Sequence, residues 1–248
     1  QSSFAENILN GETRELIISP LTNYNVLVLD QNLKNNGFLT FTNTNVLRSG
    51  SFYDANVTGL NLKLNSENND YFIEAQGALS TIMNSGETSL GHTWGVETGK
   101  QRGAFAFSGE YYEESDTYSP NDLGFLRANN SRVFGLNVAY RDFSPSFWKL
   151  NKFITNASIS QERLYAPNLY GATFWNLRSI MVNKSFNAWG VVFNGSMTES
   201  NDYFEPRVWG ENFIRPIWTS CRTWFSSNYQ KRIAVDAGIG YVFVERDN

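Results

Sequence analysis

Residues 201–218 bring together the side chains of this chain that are best suited to ligand chemistry. Two arginines alternate with two glutamates, and aromatic rings stand between them. Forked guanidinium groups and aromatic faces bind sugars or anionic ligands. We therefore predict a ligand-binding or gating segment built from Glu205, Arg207, Trp209, Glu211, Arg215 and Trp218. The alternative is a loop that folds into or over a lumen and is held there by its own ion pairs.

A second group of carboxylates lies between residues 110 and 122. Oxygen ligands in such a loop suit Ca²⁺. Glu114, Asp116 and Asp122 are the candidate ligands. Their spacing differs from that of an EF-hand loop, so a solvated acidic loop is the favoured interpretation. Paired carboxylates also hydrolyse glycosides, but nothing else in the sequence supports that chemistry.

The sequence offers few parts for a catalytic site. His92 is the only histidine, and it shares an alternating apolar face with Leu90 and Trp94. Cys221 is the only cysteine and has no evident histidine partner. Nucleophile-elbow, phosphate-loop, zinc-protease and dinucleotide-binding motifs do not occur. We therefore predict a protein that is not an enzyme, with no catalytic residues and no cofactor.

Composition narrows the class of protein further. The chain has 248 residues, a net charge of −4 and a mean hydropathy of −0.38, with 18% charged and 15% aromatic residues. The negative charge argues against a nucleic-acid partner. Apolar runs stop far short of the roughly 18 residues that a membrane-spanning helix needs.

Strict alternation of apolar and small or polar residues dominates the chain and is typical of β-strands. Residues 233–243 show it over the longest stretch, with Ile239 and Tyr241 on one face and Gly238 and Gly240 on the other. Short polar turn clusters separate the alternating segments. The pattern predicts about twelve strands, near residues 23–33, 37–48, 53–65, 70–83, 88–99, 103–114, 131–143, 148–164, 169–183, 188–200, 219–229 and 232–245.

Strand length separates two all-β architectures. Strands of soluble sandwiches average about 5 to 6 residues, whereas tilted strands that span a membrane need about 9 to 11. Most of the predicted segments are of the longer kind. Aromatic residues gather at strand ends, as at Tyr111, Trp189 and Trp224, which suits the girdles of a membrane barrel. The pattern favours an antiparallel transmembrane β-barrel over a soluble sandwich or jelly roll.

Three segments carry a family resemblance: residues 18–36 (ISPLTNYNVLVLDQNLKNN), 114–124 (ESDTYSPNDLG) and 201–216 (NDYFEPRVWGENFIRP). They resemble the C-terminal barrel of a family of outer-membrane proteins. In that family a carbohydrate-binding family-9-like β-sandwich precedes a barrel domain of unassigned function. The resemblance covers most of the chain and implies an outer-membrane location of the Gram-negative type.

The chain also departs from that family. Its members are several times longer, and the chain lacks the sandwich domain and the terminal aromatic residue typical of such barrels. We therefore expect one barrel domain over residues 1–248, either a complete barrel of about 12 strands or an arc of a larger one, with the upstream sandwich absent.

The functional expectation is passive. A channel or transport-related pore with a polar lumen, constricted by residues 201–218, fits the pattern best. A plugged barrel that acts as a scaffold in an outer-membrane assembly is the first alternative, and a soluble carbohydrate-binding sandwich is the second. The expected partners are outer-membrane lipid, other outer-membrane or periplasmic proteins, and a saccharide or small solute, with no nucleic acid.

Overall fold

The computed structural model describes residues 2–9, 12–208 and 210–245. In these ranges the secondary structure is β-strand with a single short 3-10 turn at Lys34–Asn36, and it includes no α-helix. A search of the same residues for a helix long and apolar enough to cross a membrane found none. The chain is therefore all-β, as its alternation predicts.

Twelve strands form one continuous antiparallel sheet. Its strands, in spatial order from one edge to the other, are β16 (Asp236–Val244), β15 (Trp218–Ser226), β12 (Ala188–Ser196), β11 (Tyr170–Asn183), β10 (Leu150–Arg163), β9 (Ser131–Asp142), β8 (Phe105–Glu114), β7 (Glu87–Lys100), β6 (Tyr71–Asn84), β5 (Asp54–Asn65), β4 (Phe38–Arg48) and β3 (Thr22–Asn32). Two small antiparallel pairs lie outside it: β1 (Ser3–Leu9) with β2 (Glu12–Ser19), and β13 (Ser200–Asp202) with β14 (Phe213–Arg215).

The twelve predicted segments correspond to the twelve strands of the large sheet. The two largest differences in boundaries are equal: β12 ends at Ser196 rather than near residue 200, and β16 begins at Asp236 rather than near residue 232. The β1–β2 and β13–β14 pairs were not predicted. Each is short, and neither shows the long alternation by which the other strands are recognised.

Pairing across the sheet separates two faces. One row of directly opposed residues crosses successive strands and is mostly apolar. It consists of Phe107, Val138, Ala157, Leu177, Phe193, Cys221 and Tyr241. Directly opposed residues share a face. This apolar face is called the outer face below.

The neighbouring row, one residue along each strand, has the opposite character. It consists of hydroxyl and amide side chains: Ser108, Asn137, Ser158, Asn176, Asn194 and Ser220. Successive residues of a strand point to opposite faces, so this row defines the inner face. Lys63 on β5 and Ser158 on β10 line the same inner-face cavity of about 350 Å³. Strands this far apart in the sheet can share a cavity only if the sheet is curved.

The strand connections differ between the two ends of the sheet. At one end, the turn end, the connections are short to moderate and span residues 33–37, 66–70, 101–104, 143–149, 184–187 and 227–235. The opposite end, the loop end, carries the two long connections, residues 115–130 and 197–217. Both lie at the loop end because β8 and β12, which lead into them, run in the same direction.

The sheet has two free edges. β3 and β16 each pair on one side only, and no ladder joins them to each other in the part of the chain that the structure describes. Residues 23–32 and all residues of β16 are exposed. Of the two predicted arrangements, a closed barrel of 12 strands or an arc, the described strands form an open antiparallel sheet.

Candidate functional site

The first long connection, residues 115–130, lies flat against the inner face. The backbone N–H of Ser119 donates to Ser80 Oγ at 3.1 Å. Gly91 on β7 lies beneath the loop, and a Cβ at that position would overlap the backbone of Thr117 and Tyr118. Tyr118 is only 8% exposed. The absence of a side chain at Gly91 therefore allows the loop backbone to touch the sheet.

An ion pair fixes the same loop to the opposite part of the sheet. Asp122 accepts hydrogen bonds from the Arg48 guanidinium and, at 3.1 Å, from the Tyr53 hydroxyl. The side chains of Arg48 and Asp122 are 14% and 12% exposed. Burial, followed by the hydrogen bond to Asp122, raises the pKa of Tyr53. Residues 115–130 thus bridge β4, β6 and β7 across the inner face.

The candidate calcium ligands have different surroundings in the structure. Asp122 is bound to Arg48, Glu114 accepts from the Tyr112 hydroxyl at 3.0 Å, and Asp116 is exposed. Within the described ranges, no group of three or more His, Cys, Asp or Glu side chains is arranged to hold a metal ion.

The second long connection contains the β13–β14 hairpin, which is braced at its base. Asp202 forms an ion pair of 2.5 Å with Arg215 and accepts the backbone N–H groups of Phe204 and Glu205, each at 3.0 Å. Burial opposes ionisation of Asp202, but these backbone bonds and the charges of Arg215 and Arg127 together lower its pKa.

Two hydrogen bonds tie the hairpin to the start of β11. The Tyr203 hydroxyl and the Asn201 side-chain amide both donate to the carbonyl oxygen of Tyr170, at 2.8 and 3.2 Å. The hairpin is therefore anchored at its root, while Phe204 and Phe213, farther along it, are exposed.

Unlike residues 115–130, the hairpin arches over the inner face and encloses space. A cavity of about 660 Å³ lies between it and strands β9, β10, β11 and β15. This volume falls in the usual range for small-molecule sites. The strands contribute inner-face residues, and the hairpin contributes the roof. The cavity is lined by Asn130, Ser131, Val133, Glu162, Arg163, Leu164, Gly171, Ala172, Phe174, Ser200, Asn201, Asp202, Tyr203, Phe204, Arg215 and Trp218.

Of the six residues predicted to form a binding or gating segment, some line the cavity and others do not. Arg215 and Trp218 line the cavity. Glu205, Arg207 and Glu211 do not contribute to its lining, and all three are exposed to solvent. Trp209 lies outside the described residues.

Sequence reasoning missed the strand residues of the cavity. Glu162 and Phe174 belong to the inner face of β10 and β11, and Ser200 begins β13. Their position in the alternation gave the face of Glu162 and Phe174, but not their proximity to the hairpin. Their proximity to the hairpin depends on how residues 197–217 fold, and that connection has no repeating sequence pattern from which its fold could be predicted.

A polar cluster on the outer face was also missed. Glu113 accepts from the Trp94 indole at 2.7 Å and pairs with Arg132 at 3.1 Å. His92 Nε2 lies 3.4 Å from the same carboxylate, so the single histidine belongs to this cluster. Cys221 lies on the outer face between Phe193 and Tyr241.

An all-β protein with one twelve-stranded antiparallel sheet and two long connections over its polar face is thus defined. Comparison with known families assigns the chain more narrowly: residues 2–248 match a domain of unknown function, DUF5916, and the chain belongs to that family. No curated protein and no solved structure matches the chain.

Proposed function

We propose that this chain forms the wall of an outer-membrane β-barrel of the Gram-negative type, with a polar lumen that small hydrophilic solutes cross. The observation that carries the proposal is the segregation of the two faces of the sheet. Exposed large apolar side chains occupy the outer face of strand after strand, whereas hydroxyl and amide groups follow the inner face.

The outer face is too apolar to meet water. Five large apolar side chains on strands β6 to β9 and β16 are between 61% and 73% exposed: Leu79, Leu90, Phe105, Leu136 and Ile239. Soluble monomers rarely expose contiguous apolar patches larger than a few hundred Å². A lipid environment removes this cost, because hydrocarbon chains cover an apolar band as well as protein does.

The Glu113 cluster fits the border of such a band. Trp94 and Tyr111 lie on β7 and β8, and each donates a hydrogen bond to the Glu113 carboxylate near the loop end. Trp and Tyr are enriched at membrane–water interfaces, where one end of the ring is apolar and the other is wet. Arg132 and His92 complete a polar group at that level.

Passage of a solute would be passive. The inner face presents hydrogen-bonding groups such as Asn137, Asn156 and Ser158 around an open cavity. Residues 115–130 and the β13–β14 hairpin both lie over this face at the loop end and would narrow the path. The selectivity of the pore would then depend on the space between these two connections.

Membrane insertion is tested by adjacent residues on opposite faces. Leu136→Arg should destabilise the protein in lipid by about 2 to 4 kcal/mol, because it places a charge in the hydrocarbon region. Asn137→Arg is the matched control, since Asn137 lines an inner-face cavity. Equal losses of unfolding free energy in lipid vesicles would contradict the assignment of the faces.

A plugged scaffold is the second candidate, and the close contact between residues 115–130 and Gly91 favours it. Planar-bilayer recordings separate the two: a pore gives steps of conductance, and a plugged barrel gives none while still inserting. A soluble sandwich needs two facing sheets, whereas twelve of the described strands form one ladder. Purification without detergent would nevertheless revive that alternative.

A further inference from the structure

We propose that the cavity beneath the β13–β14 hairpin binds a neutral, hydroxyl-rich ligand of the size of a disaccharide. This goes beyond the proposed pore, because binding needs only the folded loop end and no flow of solute. The inference rests on which polar groups of the cavity are already satisfied and which are not.

The formal charges of the cavity lining cancel, because Arg163 and Arg215 are matched by Asp202 and Glu162. Arg215 is paired with Asp202 at 2.5 Å. Arg163 donates from Nε and Nη2 to the side chain and backbone oxygens of Asn168, at 2.8 and 3.0 Å. In each guanidinium, Nη2 is therefore already engaged, which limits its use as a fork for a phosphate or carboxylate.

Among the polar groups of the lining, the side chains of Ser200, Glu162 and Trp218 make no hydrogen bond within the described residues. Ser200 is 7% exposed, and its hydroxyl oxygen is buried with no hydrogen bond. Glu162 and Trp218 line the same cavity. A buried hydroxyl without a partner is costly, so a ligand that bonds to it gains affinity.

These three groups define the chemistry of the ligand. Glu162 accepts hydrogen bonds, Trp218 donates one, and Ser200 does both. A sugar hydroxyl is a donor and an acceptor at once and satisfies all three. An anion is repelled by Glu162, and an ammonium group, which only donates, leaves the Trp218 N–H unsatisfied.

The apolar part of the cavity supports the same class. Phe174, Phe204 and the ring of Trp218 line it together with these polar groups. Ligand sites combine apolar and aromatic walls with a few placed polar groups. The C–H faces of a pyranose ring match such walls, while its hydroxyl groups reach the polar atoms.

Binding is measured by isothermal titration of the detergent-solubilised full chain with maltose and cellobiose, and with spermidine and citrate as charged probes. We expect a disaccharide to bind and the charged probes not to bind. Glu162→Gln should weaken disaccharide binding about tenfold, through loss of a charge-assisted hydrogen bond, and Ser200→Ala should weaken it about threefold.

Glu205→Gln is the matched control, since it changes a carboxylate of the hairpin connection, residues 197–217, that does not line the cavity. It should leave the affinity unchanged. Binding of spermidine or citrate in preference to both sugars, equal effects of the two glutamate variants, or no binding of any probe would overturn the proposal. Because no bilayer is used, failure here is separate from failure of the pore, which the conductance recordings test.

Discussion

The two long connections at the loop end lie over the same face of one sheet, yet they use it differently. Residues 115–130 are pressed onto the strands, with Tyr118 buried and Asp122 bound to Arg48. Residues 197–217 fold into a hairpin that touches the sheet at its root and leaves about 660 Å³ beneath it.

The difference comes from what each connection finds on the strands below. Gly91 and Ser80 offer a bare surface and a hydroxyl acceptor, so backbone meets backbone under the first connection. Under the second, the larger residues Glu162, Phe174 and Trp218 line the cavity that separates the hairpin from the strands. The first connection thus rests on a glycine and a serine, whereas large side chains border the space under the second.

The largest expected effect comes from detaching residues 115–130 from the sheet. Gly91→Ala puts a Cβ into the backbone of Thr117 and Tyr118, which cannot yield as a flexible side chain would. We expect residues 115–130 to detach and the conductance in planar bilayers to rise several-fold. Gly59→Ala is the control, because its Cβ would meet its nearest atom, the Gly77 carbonyl oxygen, at 3.6 Å. Conductance that is unchanged in both variants would argue against a plug.

A smaller effect is expected from the ion pair that holds residues 115–130 to the sheet. Asp122→Asn removes a charge from a pair whose side chains are both largely buried. It should lower the free energy of unfolding by about 2 kcal/mol, because the Arg48 guanidinium loses its charged partner. Lys63→Met cuts the more exposed pair with Glu74. A loss of less than about 1 kcal/mol is expected there. Chemical denaturation in detergent measures the loss of unfolding free energy in both variants. Equal losses would contradict a larger contribution from the Arg48–Asp122 pair.

The smallest effect concerns the chamber and depends on pH. The pKa of Asp202 is lowered in the folded hairpin from the ordinary value of 3.8. Its stabilising contribution is therefore present above that ordinary value and is lost as the pH falls through the folded value. A spin label at Glu211→Cys, in a chain with Cys221→Ser, should become mobile only below about pH 4. Asp202→Asn should make the label mobile at neutral pH too, and a label that is rigid in this variant would contradict the brace.

The strands of the large sheet were predictable from the sequence, because sustained period-two alternation fixes both the element and its faces. The loop contacts were not. Arg48 and Asp122 are 74 positions apart, and nothing in either segment specifies the other. Glu205, Arg207 and Glu211 share the composition of a binding loop, yet only the fold reveals that strand residues such as Glu162 face the cavity instead.

Glu113 shows a different limit. Alternation assigns it to the apolar face, where a lone carboxylate is unfavourable. Its four partners come from β7, β8 and β9, and the cross-strand register that assembles them depends on the number of residues in the intervening connections. A period-two pattern specifies the face of a residue and leaves its neighbours across the sheet open.

The free edges of the sheet have a consequence in parity. Because the large sheet is a meander with an even number of strands, β3 and β16 run in opposite directions. A barrel built on this sheet would therefore close with antiparallel pairing throughout, either by joining these two edges or by including an even number of further strands. An odd number would force one parallel pair at the seam, which changes the hydrogen-bond spacing there. If further strands complete a barrel, they are thus expected to be even in number.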